Sequence, residues 1–279
     1  MALHDELKSQ HTLKRTFIIL LSALCIVEAF FLWLILFPDT EFTHTTADNE
    51  YIFDTNEINL DEAAKAAERA ERLENWQKFA DELAERHADK KYAIAFLSLD
   101  DSDFSLEINA DQEFIAASTY KLFAAYAMFE TGNPPDCLDS MIIQSENECP
   151  LEYFEEYGWS RLTKDAHGIG AKNTKFDNEL FTTAKDLVTI LKQIYDGSLL
   201  SETDNSRLLS NMKEQIYREG IPAGIPEAEV ANKVGFLDDL LHDAGIIYSP
   251  KGNFILVILT DGYLWEAIAE TAQEIYINL

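Results

Sequence analysis

The sequence predicts an α+β fold: an antiparallel five-stranded sheet packed by N- and C-terminal helices, plus an all-helical subdomain, preceded by one transmembrane helix. Three observations carry this expectation. Strand-like runs come in two groups, two between 92 and 108 and three between 229 and 260. Between the groups the apolar residues recur at helical spacing, and a helical segment flanks the strands at either end. Near the start of the chain, residues 17–37 are apolar except for Ser22 and Glu28.

Taken in order, residues 1–16 are polar, with Lys8, Lys14 and Arg15 close to the apolar run. Residues 17–37 are long enough to cross a bilayer core at 1.5 Å per residue. The preceding cations place the N-terminus in the cytoplasm and everything after Pro38 outside, in a single-pass arrangement. The run exceeds a signal-peptide core and no small-x-small cleavage site follows, so an uncleaved anchor is expected. Residues 38–59 are acidic, Thr-rich and without helical period, and read as a linker. The folded domain is then 60–279. It opens with a helix over 60–88, where Ala63, Ala67, Ala70, Leu73, Phe79 and Leu83 form the apolar stripe. Trp76 and Phe79 are the residues expected to seat it on the domain.

Tyr92-Ala-Ile-Ala-Phe-Leu-Ser-Leu99 reads as a strand, 100–103 as a turn and 104–108 as its hairpin partner. From Ser118 the chain reads as a buried helix that stops near Gly132-Asn-Pro-Pro135. A short helix over 137–144 delivers Ser145-Glu-Asn147 into a loop closed by Pro150. Residues 151–180 carry Gly158, Gly168 and Gly170 among polar residues and read as loop-rich. Thr182 and Thr183 can cap a helix over 184–195 that Gly197 ends. Another helix follows over 199–217, and Pro222, Gly224 and Pro226 then break the chain. Strands are expected at 229–234, 242–249 and 253–260, the last two joined by Pro250-Lys-Gly252, and a helix over 262–279 closes the chain.

The chemistry centres on Ser118 and Lys121. Three-residue spacing puts them on one helical face, about 5–6 Å apart at Cβ. A hydroxyl in the first turn sits at the positive end of the helix dipole, and an amine kept partly neutral could take its proton. A second Ser-x-x-Lys, Ser210 to Lys213, lies in a polar helix and reads as an exposed pair. Ser145-x-Asn147 and Lys233-x-Gly235 follow Lys121 in that order, and each is the only match of its kind in the chain.

With Phe114-Ile-Ala-Ala-Ser-Thr-Tyr-Lys121, Met141-Ile-Ile-Gln-Ser-Glu-Asn147, and Lys233-Val-Gly-Phe followed by His242-Asp-Ala-Gly-Ile246, the sequence resembles the penicillin-recognising serine hydrolases. It is most similar to their class A β-lactamase-like branch, over roughly 60–279. The resemblance implies that Ser118 attacks an amide or lactam carbonyl and forms an acyl-enzyme. Lys121 is then the base, its pKa lowered by the charge of Lys233, and Ser145 relays a proton to the leaving nitrogen. Asn147 holds Lys121 and the substrate amide. The backbone N–H groups of Ser118 and Phe236 form the oxyanion hole. Lys233 draws in a substrate carboxylate, and Val234, Gly235 and Phe236 lie along the substrate.

Three departures qualify these expectations. Val234 stands where a hydroxyl is usual, which forfeits a hydrogen bond to the substrate carboxylate, about 1–3 kcal/mol if a partner is left unpaired. The Glu-x-x-Leu-Asn segment that activates the deacylating water in class A enzymes is absent from 162–178. Of the nearby acids, Asp165, Asp177 and Glu179 each read better as surface groups. Finally, the 27 residues from Ser118 to Ser145 are fewer than is usual, so a helix beside the site is expected to be trimmed.

Composition narrows the partners. The formal net charge of −28 disfavours nucleic acid, because such a surface repels phosphate. No His-x-x-x-His or Cys-x-x-Cys spacing occurs, so neither metal nor cofactor is expected, and His167 and His242 read as structural. Cys137 and Cys149 would face an oxidising compartment, with pairing left open. Three functions compete. One is β-lactam acylation and hydrolysis, that is, β-lactam antibiotic catabolism, with slow deacylation. The others are a D,D-peptidase-like activity on cell-wall peptides and a non-catalytic module that binds wall peptide.

Overall fold

The structure, a computed structural model, describes residues 55–88, 91–177 and 179–279. The predicted anchor at 17–37, the segment before it and most of the linker lie outside the described residues. Among the described residues no helix is long and apolar enough to cross a membrane. Helix α1 (Thr55–Arg86) starts five residues before the predicted position and precedes the hairpin of β1 (Tyr92–Ser98) and β2 (Ser105–Ile108). A short strand β3 (Phe114–Ile115) leads through a 3-10 turn, Ala117–Tyr120, into helix α2 (Lys121–Glu130). Helices α3 (Leu138–Ile143), α4 (Glu148–Tyr157) and α5 (Trp159–Gly168) come next, then strands β4 (Lys175–Phe176) and β5 (Leu180–Thr182). Helices α6 (Ala184–Asp196) and α7 (Glu202–Lys213) and the single turn α8 (Ile221–Gly224) return the chain to the sheet. There β6 (Glu229–Leu237), β7 (Leu240–Ser249) and β8 (Gly252–Asp261) precede the closing helix α9 (Trp265–Ile277).

The five-stranded sheet is antiparallel throughout, in the order β2-β1-β8-β7-β6. Side chains alternate with period two, so the inner strands feed two cores, while the edge strand β2 turns Leu106 and Ile108 into one and Ser105 and Glu107 to solvent. Tyr92, Ile94, Phe96, Leu256 and Ile258 pack with Trp76, Leu83, Ile268 and Ile275 beneath α1 and α9. Ala93, Ala95, Ile255, Val257 and Leu259 face the helical side with Leu122, Phe123, Leu187 and Ile190. The small side chains of Ala93 and Ala95 suit the packing of α6 against β1 and β8. Trp76 is 1% exposed, and its indole N–H donates to the Ser105 carbonyl at 3.1 Å, which satisfies the one polar atom of an otherwise apolar anchor.

The region 151–180 differs from expectation. Instead of a loop it holds α4, α5 and two short strands. Gly158, at φ 96°, is the break between two amphipathic helices, whose buried faces carry Phe154, Leu162 and Ala166. A second sheet, β3-β5-β4, was also not expected, since strands of two or three residues are too short to show a period. His242 is structural. Its ring sits in the core and joins the Ile115 carbonyl at 2.9 Å through Nε2, while Nδ1 accepts the Thr260 N–H at 3.2 Å. That pattern fixes a neutral ring protonated at Nε2, and burial holds its pKa below the usual histidine value. The ring thereby ties the main sheet to β3, three residues before Ser118.

Candidate active site

Ser118 lies in the 3-10 turn and not in the α-helix proper. The backbone N–H of Lys121, the first residue of α2, donates to Ser118 O and closes the turn. The turn is held in place from both sides. Ala116 N–H donates to Leu180 O at 2.6 Å, and the Thr119 hydroxyl donates to Ala116 O at 2.6 Å. Ala117, directly before the serine, has φ 43°, a region costly for a residue with a Cβ and common at functional sites. Gly235 on β6 abuts the same turn. A Cβ there would lie 3.0 Å from Ala116 O and 3.1 Å from Ser118 N, so glycine lets the strand approach the backbone of the nucleophile.

Two lysines lie beneath this turn, both 0% exposed. Lys121 Nζ donates to Ser145 O at 2.6 Å and to Asn147 Oδ1 at 2.6 Å, with a longer contact of 3.5 Å to Ser145 Oγ. Lys233 Nζ donates to Ser145 Oγ at 2.8 Å and to the carbonyl of Val234 at 2.9 Å. The Ser145 hydroxyl therefore stands between the two amines. Its backbone has φ 57°, again a left-handed conformation at a non-glycine residue. A disulfide between Cys137 and Cys149, with Cα atoms 6.1 Å apart, closes the segment that carries Ser145 and Asn147.

Burial pushes the pKa of Lys121 down to about 8, opposed by the Glu146 carboxylate. Lys233 falls well below the ordinary lysine value, first through burial and then through the charge of Lys121, with Asp243 opposing. The expected cause is thus inverted: burial does most for Lys121, and the repulsion between the amines is expressed on Lys233. With a pKa near 8, roughly a tenth of Lys121 is neutral at pH 7. A lysine base must be neutral to take a proton. The acylation rate should therefore climb about tenfold per pH unit below 8 and level off above it, as read from a pH–rate profile of serine acylation.

A cavity of about 390 Å³ opens onto Ser118. Of the predicted residues, Ser118, Asn147 and Phe236 line it. Lys121 and Lys233 sit behind the wall, Val234 is fully buried, and Gly235 is pressed against the turn. Leu151, Leu180 and Glu179 also line it, although no motif in the sequence marks them. Glu179 had read as a surface acid. It is exposed, but on the cavity side, because β5 pairs Phe181 with Ile115 and Thr182 with Phe114. Asp165 instead accepts the Tyr157 hydroxyl at 2.8 Å, and Asp177 is exposed. On α7, Lys213 pairs with Glu229 at 2.6 Å and Ser210 is exposed, the surface pair that was expected.

A serine turn backed by two buried lysines, set in this α+β fold, is the arrangement that the resemblance to penicillin-recognising serine hydrolases implied. The chain belongs to the beta-lactamase enzyme family, whose model matches residues 75–133 and 135–278. Among solved structures it is similar to PBP-A, at 22% identity and a TM-score of 0.65 over 73% of this chain and 95% of that one. A PBP-A mutant described as an acyl-enzyme complex with penicillin G matches equally well. TLA-3 extended-spectrum beta-lactamase matches at 19% identity and a TM-score of 0.64, over 73% of this chain and 99% of that one. A beta-lactamase from Chitinophaga pinensis matches at 20% and 0.61, over 72% and 98%. No curated protein matches the sequence.

Proposed function

We propose that this chain is a serine hydrolase that β-lactams acylate at Ser118, with its domain held outside the membrane by the segment 17–37. The observation that carries the reading is the Ser145 hydroxyl, within 2.8 Å of one buried amine and 3.5 Å of the other, behind a cavity open to Ser118. In its neutral form Lys121 takes the Ser118 proton as Oγ bonds to the lactam carbonyl carbon. The carbonyl oxygen, now negative, is received by the backbone N–H groups of Ser118 and Phe236. Collapse breaks the C–N bond, and the proton passes from Lys121 through the Ser145 hydroxyl to the leaving nitrogen. The Lys233 amine keeps that hydroxyl oriented, and Asn147 keeps Lys121 aimed.

Release of the acyl group is the weaker half of the cycle. The Glu that activates water in class A enzymes has no counterpart at the usual place in this sequence. That absence favours a second reading, a D,D-peptidase-like enzyme that acts on wall peptides and is trapped by penicillin. Incubating the full-length chain with benzylpenicillin and following intact mass separates the two. The expected result is a one-penicillin mass increase that persists for minutes or longer. Rapid loss of the adduct with turnover would favour an efficient lactamase. No adduct at high ligand and long times would leave a non-catalytic binding module.

A further inference from the structure

The cavity in front of Ser118 offers little to hold an anion. Among the described residues that line it, the one charged side chain is Glu179, which repels a carboxylate. Leu151, Phe236 and Leu237 also line it, and they are 49%, 43% and 49% exposed. Large side chains so exposed beside a reactive serine make a surface that an apolar substituent can cover.

The nearby cations are committed elsewhere. Lys233, which the family resemblance assigns to a substrate carboxylate, is 0% exposed and donates to Ser145 Oγ and Val234 O. Neither Lys233 nor the buried Val234 reaches the cavity surface, so no side-chain donor from this stretch of β6 lines it. Arg218, in the loop before α8, donates to Val230 O at 3.0 Å and Asn232 Oδ1 at 2.7 Å. Asn232 in turn donates to the buried Asp243 at 2.8 Å. The chain as a whole, at −28, adds a repulsive field.

We propose that this site selects acyl compounds that are uncharged where a β-lactam carries its carboxylate: neutral esters and amides bearing an apolar or aromatic group on that side. The proposal rests on acylation at Ser118. With an ester, Ser118 Oγ bonds to the acyl carbon, the C–O bond breaks, and the alcohol leaves with the proton that Lys121 took from the serine.

The test compares benzylpenicillin with its methyl ester on the full-length chain, as acylation rate by intact mass, each divided by its uncatalysed hydrolysis rate. The expected result is a faster rate for the methyl ester. Raising the salt from about 0.02 M to about 0.5 M should narrow the gap, since screening weakens the repulsion. Glu179→Gln, which removes the charge that lines the cavity, should move the acid-to-ester ratio toward the acid. A wild-type chain that acylates with the acid as fast as the ester, or faster, overturns the substrate assignment and leaves the acylation reading intact. If neither compound acylates the chain, the acylation reading fails and the assignment falls with it.

Discussion

Replacing Ser118 with alanine removes the benzylpenicillin adduct and leaves the fold in place. The substitution deletes one oxygen from a partly exposed side chain in a turn held by Ala116, Thr119 and Gly235. No core contact is lost, so the thermal transition should move by less than a degree or two, consistent with a change within about 0.5 kcal/mol for a site of this kind. The acylation rate should fall by on the order of 10³ or more, because no other group can form the covalent bond. Ser210 sits on an exposed helix next to Lys213, which is paired with Glu229, so it offers no substitute.

Lys121→Met is the second large effect. Methionine keeps most of the buried hydrocarbon volume but cannot accept the serine proton. Loss of a positioned base should lower acylation by about 10²–10⁴-fold. The rise in rate up to pH 8 should also disappear, which a purely structural defect would not bring about. Stability is pulled two ways. The Ser145 carbonyl and the Asn147 side-chain oxygen each lose a donor at 2.6 Å, whereas the cost of burying an ammonium is removed. The net change should therefore be small beside the kinetic loss, as a denaturant titration would show.

How far the sequence disclosed this molecule depends on what each residue's neighbours are. The main sheet was legible because Tyr92 to Leu99 and 253–260 alternate between two buried faces, and Pro250-Lys-Gly252 marks the tight turn between β7 and β8. The helices α4 and α5 were not, because Gly158 between them looks like a loop signal until Phe154, Leu162 and Ala166 are seen facing one core. Ser118, Lys121, Ser145, Asn147 and Lys233 stand out in the sequence by their order and local wording; in the structure the Lys121 and Lys233 amines meet at the Ser145 hydroxyl, Lys121 also holds Asn147, and Ser118 lines the cavity. The disposition of charge was not legible. Burial of Lys233 is set by strands and helices far apart in sequence, and so is the position of Glu179 at the cavity, which depends on β5 pairing with β3. Spacing along the chain reports neither.

The central claim is that Ser118 is the nucleophile served by Lys121 and Ser145. Peptide mapping by tandem mass spectrometry, after treating the full-length chain with benzylpenicillin, tests it most directly. One penicilloyl group on Ser118, absent from the Ser118→Ala chain, is the predicted result. An adduct of equal yield on any other residue, or one that survives in Ser118→Ala, would contradict it.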